Sequence, residues 1–318
     1  MAEHADPSVA RDRFVGPGEE AEVAVLVVTY QSEADIDALL VSLRAQADAH
    51  RLRVIVADNA STDDTVARLA NHRDVTVVEV GRNLGYAAGI NAAARLAPPG
   101  EPRLVLNPDL RVRSGCIAGL LETMHRTGAS VVVPRILDRD EKVYLSLHRE
   151  PSLLGGFGDA LFGRNLPGRP AVLTEHLFLP SDYVSARQVD WASGAALLID
   201  PEVAARVGAW DESFFLYSEE TDYLRRVRDL GGTVWYEPAA AVQHDQGGSG
   251  SSVALAALMA VNRIRYVRKH HGAAYAACYR AMVVLHELLR SYQAPHRTIL
   301  RTVLSERCWA SLPGPTSS

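Results

Sequence analysis

Leu104-Val105-Leu106-Asn107-Pro108-Asp109 is the stretch on which the fold turns. Three apolar residues run straight into a polar tip. That is the composition of a strand buried on both faces and ending abruptly at its carboxyl end. In open α/β sheets, ligands gather beyond such carboxyl ends. Asn107 and Asp109 offer oxygen atoms there, and Pro108 restricts the backbone between them. Hard cations such as Mg²⁺ and Mn²⁺ take oxygen donors. Asp109 is therefore a candidate metal ligand and, through the metal, a holder of a diphosphate. An ordinary strand-ending turn has the same chemistry, so the stretch must be weighed with its neighbours.

Working outward, the same pattern recurs. Residues 21–30 (AEVAVLVVTY), 52–57 (LRVIVA), 75–80, 129–134 and 190–200 read as strands rich in β-branched residues. Between them, Ile36, Leu39, Leu40 and Leu43 recur at helical spacing, as do Ile117, Leu120, Leu121 and Met124. Ser32 is the expected N-cap of the first of these helices. Alternating strands and helices with short connections predict an α/β fold with a doubly wound, mostly parallel, Rossmann-like sheet. The strand ends that would face a ligand hold Thr29-Tyr30, Asp58-Asn59, Gly81 to Gly89 and Asn107 to Asp109. Residues 1–20 read as a disordered leader without signal-peptide character, and 21–250 as the main domain. Residues 138–188 read as a long, partly mobile segment, and 247–252 as a Gly/Ser linker. Residues 251–318 read as a helical, basic C-terminal extension, in which 253–310 look wholly helical.

Bulk properties narrow the class. With 318 residues, 47% hydrophobic and 22% charged, the chain has the balance of a globular protein. A net charge of −5 supplies no basic field for nucleic acid. Cys116, Cys278 and Cys308 lie far apart with no metal spacing, which fits a reducing compartment. No uncharged apolar run reaches the length of a membrane-spanning helix.

Several motifs carry chemistry and a plainer reading together. A carboxylate at Asp58 can accept the imide N–H of a pyrimidine base, or close an Asx-turn. Asn83-x-Gly85-x-x-x-Gly89-x-Asn91 opens a helix whose N-terminus suits phosphate, or is a tight turn that needs Gly. It is neither a dinucleotide fingerprint nor a P-loop. Glu219, Glu220 and Asp222 follow Ser218: acids in a first helical turn favour the dipole. Crowding also raises their pKa values towards those of a general base. Trp210, Phe214, Phe215 and Tyr217 would desolvate that base and stack on a sugar. His244 gains weight as a metal ligand only if Asp109 lies beside it. The basic C-terminal residues, among them Arg263, Arg265, Arg268, Lys269, Arg280, Arg290, Arg297 and Arg301, are a solvated face or a contact for anionic lipid.

In their order, VVTY (27–30), ADNASTDDT (57–65), NLGYAAGIN (83–91), LNPD (106–109), WASGAALLI (191–199), WDESFFLYSEETDYLRR (210–226) and His244 resemble the family 2 glycosyltransferases of GT-A fold. Within that family the set looks most like bacterial rhamnosyltransferases acting on polyprenyl-diphosphate-linked N-acetylglucosamine. The resemblance implies an inverting, single-displacement transfer from a dTDP- or UDP-sugar, at the inner, cytoplasmic face of a membrane. It implies peripheral membrane contact, and a homodimer is compatible with it. It implies that Asp58 reads the base, with Thr29, Tyr30, Asn83, Gly85 and Asn107 at the donor and Trp210, Phe215 and Tyr217 at the acceptor. Asp109 and His244 would hold Mg²⁺ or Mn²⁺, and Glu220 would deprotonate the acceptor, with Glu219 and Asp222 as alternatives. Two departures stand out: Asn107 replaces the family's usual first Asp, and Glu220 its usual Asp. Competing readings are a galactofuranosyl or other hexosyl transferase, and a sugar-nucleotide binder without catalysis. A nucleotidyltransferase would need a Gly- and Lys-rich loop after the first strand, where Thr29-Tyr30-Gln31-Ser32 stands.

Overall fold

In the computed structural model, residues 13–315 are described, apart from 17, 48, 164, 165, 167, 168 and 245–251. Four strands, β1 (Val23–Thr29), β2 (Leu52–Asp58), β3 (Val75–Glu79) and β4 (Arg103–Leu106), pair in parallel in the order β3-β2-β1-β4. β1 and β2 are buried along their whole length, which is why both are near-continuous apolar runs rather than alternating ones. Helices α1 (Ile36–Ala47), α2 (Thr65–Leu69) and α3 (Tyr86–Ala94) make the crossovers. α1 buries Ile36, Leu39, Leu40 and Leu43 on one face of the sheet, and α3 buries Ala87, Ile90 and Ala93 on the other. The cap expected at Ser32 is not made: its hydroxyl accepts from the Tyr30 N–H, and regular helix begins at Ile36.

Beyond β4 the sheet becomes mixed. β5 (Leu110–Val112), α4 (Cys116–Thr127) and β6 (Val131–Leu137) come next. The apolar run 190–200 is not one strand. It divides into β9 (Trp191–Ala192) and β10 (Ala196–Ile199), with Ser193-Gly194-Ala195 between them. β10 lies antiparallel between β4 and β6, while β9 pairs with β7 (Leu147–His148) in a separate small sheet. β11 (Val234–His244) is a single strand whose register shifts between Glu237 and Ala241 around Pro238. β11 runs parallel to β6 and antiparallel to β5 and to β8 (Arg187–Val189). The full order is β3-β2-β1-β4-β10-β6-β11-β5.

Residues 138–188 carry more order than expected: they hold β7, the start of β8, two short 3₁₀ turns and helix α5 (Leu153–Phe162). α6 (Pro201–Val207) and α7 (Glu219–Asp229) flank the main sheet. α8 (Val253–His271), α9 (Ala273–Leu289) and α10 (Ala294–Leu304) form the C-terminal helices, closed by a 3₁₀ turn at Glu306–Ser311. Their core of Val261, Ile264, Val267, Tyr279 and Val303 also takes in Phe214 from the main domain. The Gly/Ser linker lies outside the described residues, apart from Ser252, which caps α8 through the Leu255 N–H.

Residues 1–12 of the expected leader also lie outside them. Its described remainder is packed against the domain. Phe14 is fully buried against β1, β2 and α1, its N–H donates to Asp74, and Arg44 lies 4.4 Å from its ring centre. Buried Arg53 pairs with Glu101 and donates to the carbonyls of Gly16 and Glu19. A single aromatic in a polar stretch has no period to betray it. Removing a buried Phe side chain costs about 3–5 kcal/mol. We expect Phe14→Ala to lower the urea midpoint accordingly; a midpoint unchanged from wild type would mean that the Phe14 ring contributes nothing to stability.

Candidate active site

The site is built where β1, β2 and β4 end and α7 begins. At the end of β1, Thr29 is buried and donates its hydroxyl to Asp58 at 2.8 Å. Asp58 also accepts from the Ser61 N–H at 2.9 Å and the Ser61 hydroxyl at 2.6 Å. It is thus an Asx-turn carboxylate, buried and already bonded on both oxygens. Tyr30, 49% exposed, stands open beside it. Gln31 and Ala60, at the tips of the two loops, hold left-handed backbone with φ of 54° and 62°. Non-glycine residues in that region cost free energy and concentrate at functional sites.

The Asn83–Asn91 motif works mainly as a clamp. Asn83 accepts from the Gly85 N–H, forming its own turn. Gly85 has φ +93°, and a Cβ there would overlap the carbonyl of Phe215. That close approach lets the Tyr86 N–H donate to the Phe215 carbonyl at 2.9 Å. Asn59 donates to the Gly85 carbonyl. Further along, Asn91 and Trp210 exchange two bonds of 2.9 Å between side chain and backbone. The segment 210–217 is thereby pinned across the sheet edge. Trp210, expected at the acceptor, offers little surface to a ligand. It is buried and stacks on Tyr223 at 4.4 Å, because its indole fills the core beneath α7. Phe215 and Tyr217 are partly exposed.

α7 starts from strained backbone. Tyr217 and Ser218 both have positive φ, 68° and 72°, and Ser218 makes no side-chain cap. Asn262 of α8, fully buried, donates to the carbonyls of Leu216 and Tyr217 at 2.8 and 3.1 Å. The turn is held so that Glu219 and Glu220 point inward. Burial raises the pKa of Glu219 well above the carboxylate range, and the charge of Glu220 adds to it; burial raises Glu220 as well. Glu220 is partly exposed, whereas Glu219 is 4% exposed. One oxygen of each, Oε2, is cut off from water and finds no hydrogen-bond partner among the described residues. Gly194 packs against Glu220, and its carbonyl accepts from the Tyr86 hydroxyl. The Tyr86 hydroxyl is pushed up first by burial and then by the charges of Glu219, Glu220 and Asp109, so the three carboxylates lie within electrostatic reach of one buried phenol.

Asp222 belongs elsewhere. It is fully buried, with His270 at 2.8 Å, Lys269 at 2.6 Å and Arg226 at 2.9 Å. Burial alone would raise its pKa, but the bonds from His270 and Lys269, with the Arg226 charge, outweigh burial and pull it down to about 2. A carboxylate so held is a poor proton acceptor; it ties α7 to α8.

Asp109 and His244 meet as the sequence requires. His244 Nε2 lies 3.0 Å from both oxygens of Asp109, joining the end of β11 to the tip beyond β4. Asp109 is 6% exposed, and Nδ1 of His244 is buried without a hydrogen-bond partner among the described residues. Asn107 is held by its N–H on the Ala195 carbonyl and stays partly exposed. One carboxylate and one imidazole, with the other positions left to a ligand, is a donor set that fits a divalent ion. The imidazole suits Mn²⁺ better than Mg²⁺. Asn262, Tyr86 and Gly194 are the site residues that sequence reasoning misses. The signal for Asn262 is a lone amide inside an apolar helical run.

The direction of the Glu219 shift has a consequence for stability. Unfolded, this carboxyl ionises above a pH of about 4.3; folded, it stays neutral to higher pH. The fold therefore loses stability as pH rises past the unfolded value. Glu219→Gln should raise Tm over wild type at pH 8, with the gain vanishing near pH 4. A pH-independent difference in melting temperature would contradict this.

Residues 24–175 match the model of the glycosyl transferase family 2. Two proteins of Mycobacterium tuberculosis strains, named N-acetylglucosaminyl-diphospho-decaprenol L-rhamnosyltransferase, are 34% identical over 205 residues, spanning 60% of this chain and 66% of theirs. The low-salt glycan biosynthesis hexosyltransferase Agl10 of Haloferax volcanii is 30% identical over 210 residues, 65% of this chain and 62% of its own. Among solved structures, the mannosyltransferase PcManGT of Pyrobaculum calidifontis with GDP-Man and Mn²⁺ superposes with a TM-score of 0.55 at 17% identity, covering 94% of this chain and 86% of that one. S. aureus TarS 1-349 in complex with UDP gives 0.51 at 15% identity, with 91% of each chain covered. These likenesses establish a GT-A architecture.

Proposed function

Residues 24–175 form a family 2 glycosyltransferase domain, and from that premise we propose that the chain is an inverting, metal-dependent transferase moving a hexose from a nucleotide diphosphate sugar onto a polyprenyl-diphosphate-linked N-acetylglucosamine. L-rhamnose is the sugar we favour, since two relatives are named L-rhamnosyltransferases, with a dTDP-sugar as its proposed donor. The hexosyltransferase relative supports the broader alternative of another hexose, for which the proposed donor is a UDP-sugar. The observation that carries the proposal is the meeting of Asp109 with His244 at 3.0 Å, together with Glu219 and Glu220, each with one buried oxygen lacking a hydrogen-bond partner among the described residues, at the start of α7.

Asp109 and His244 are the residues that would hold Mg²⁺ or Mn²⁺, which when bound neutralises charge on the departing nucleoside diphosphate. The loops at Tyr30, Gln31 and Ala60 shape the nucleoside end. Tyr30 covers the base, and the Thr29–Asp58 pair fixes the floor. Phe215 and Tyr217 offer apolar surface to the acceptor sugar. Glu220 is the general base: it is the more exposed of the pair, and burial makes it more basic than a free carboxylate. Burial and the Glu220 charge raise Glu219 further than burial raises Glu220, so of the two Glu219 gives up its proton last. One base suffices, since inversion needs no covalent intermediate.

Glu220→Gln should reduce turnover by about 10²- to 10⁴-fold with donor binding retained, whereas Glu219→Gln, an isostere of the protonated acid, should cost far less. Equal losses would remove Glu220 from the role of base. Chelation of divalent ions, or Asp109→Ala, should abolish transfer from dTDP-rhamnose to a short polyprenyl-diphosphate-GlcNAc, assayed against UDP-hexoses in parallel. Transfer that survives both treatments would refute metal dependence.

A further inference from the structure

Helix α5 is built inside out. Its buried positions are Gly155, Gly156, Gly158, Asp159 and Ala160. Its exposed positions are Leu154, Phe157, Leu161 and Phe162, between 38% and 60% accessible. An ordinary surface helix turns its large apolar residues inward. Here the small residues face in because other segments come too close: Tyr279 and Met282 of α9 lie against Gly156, and the carbonyl of Leu173 lies against Gly158. Leu154, Phe157 and Leu161 stand at i, i+3 and i+7, one stripe directed at solvent. Scattered exposed apolar residues need no explanation, but a helix face made of nothing else does.

The surroundings decide what this face meets. Arg290, at the end of α9, donates to the Ala160 carbonyl and so joins the C-terminal ends of α5 and α9. Leu288 and Tyr292 beside it are 54% and 76% exposed. From residue 288 to 305 the sequence has three arginines, Arg290, Arg297 and Arg301, and no acid, in a chain of net charge −5. The described hydrogen bonds of Arg290 and Arg297 go to backbone carbonyls, and no carboxylate pairs with any of the three among the described residues. The one acid of α5, Asp159, is buried and paired with Arg169. Elsewhere in the C-terminal helices most cations have acidic partners, Arg265 of α8 being an exception that donates to the Asn262 amide. Arg263 bonds Glu175, Arg268 and Arg280 share Glu306, and Lys269 bonds Asp211 and Asp222. The basic charge of α8 is therefore largely neutralised from within, whereas Arg290, Arg297 and Arg301 at the end of α9 and along α10 stand without acidic partners among the described residues.

We infer that the outer face of α5, with the adjoining ends of α9 and α10, is an interfacial surface that seats in an anionic phospholipid bilayer. Leu154, Phe157, Leu161 and Phe162 enter the acyl boundary, and Arg297 and Arg301 meet the headgroup phosphates. No helix among the described residues is long and apolar enough to cross a membrane, so the attachment lies in the plane of the interface. It is separate from the transfer chemistry, and its failure would leave that reaction untouched.

The test is co-sedimentation of the full chain with vesicles of phosphatidylcholine and phosphatidylglycerol in equal parts, and of phosphatidylcholine alone. Wild type should pellet with the anionic vesicles, less with the neutral ones, and less as salt rises. F157S/L161S should weaken the partition by about tenfold or more on both vesicle types. R297E/R301E should weaken it on the anionic vesicles only and lose the salt dependence. Thermal melts like wild type would show both variants folded, as befits exposed positions. Wild type left in the supernatant, or F157S/L161S pelleting like wild type, would overturn the inference. So would analytical ultracentrifugation in which F157S/L161S converts a dimer to a monomer while vesicle binding is unchanged, because the face would then belong to a second copy.

Discussion

Gly85 has no room for a side chain, and the placement of the site depends on that contact. Its backbone meets the carbonyl of Phe215, which accepts from the Tyr86 N–H. Asn91, further along α3, grips Trp210 through both ends of its amide. These bonds lay residues 210–217 across the carboxyl edge of the sheet. From there, the strained turn at Tyr217 and Ser218 starts α7 so that Glu220 packs against Gly194, whose carbonyl accepts from the Tyr86 hydroxyl. Shift the clamp and the carboxyls lose the burial that sets their basicity. Small residues near the start of α3 thus govern the chemistry at the start of α7, far later in the chain.

The parallel half of the fold is legible because each of its elements carries its own signal. β1, β2 and β4 are apolar runs with polar tips, and α1 keeps helical spacing at Ile36, Leu39, Leu40 and Leu43. The Asp109–His244 contact can be posed as a condition, since both sit at strand ends. Features set by partners distant in sequence do not show. β9 and β10 look like one strand because both are apolar; Gly194 stands in the break, where Glu220 packs. Trp210 looks like a ligand platform because aromatic residues have the same appearance in a core. Asp222 looks equivalent to its two neighbours, and only Lys269 and His270, arriving from α8, separate it from them.

The C-terminal helices are less of an appendage than a composition shift at residue 250 implies. Phe214 inserts into their core, Asn262 holds the strained carbonyls, and Asp222 is neutralised by α8. Glu150, just before α5, gathers Arg225 and Arg228 of α7 with Tyr266 of α8. Burial works against its charge, but the bonds from Tyr266 and Arg228 hold its pKa below the ordinary range. The approach to α5, the helix bearing the acids and the C-terminal bundle are therefore joined through one carboxylate.

The antiparallel insertion of β10 has a bearing on how the chain is made. β4 is complete at residue 106, but its outer neighbour is residues 196–199, and β6 waits for the same strand. During synthesis, the parallel half β3-β2-β1-β4 can assemble with one apolar edge unpaired while the long segment between β4 and β10 emerges. An open edge of that kind is a template for pairing with other chains, and long-range closure is slow. Nascent chains halted between residues 110 and 195 would hold Asp109 at the end of a raw edge, with neither His244 nor the glutamates to meet it. Closing the sheet and bringing His244 to Asp109 both wait for residues beyond 195.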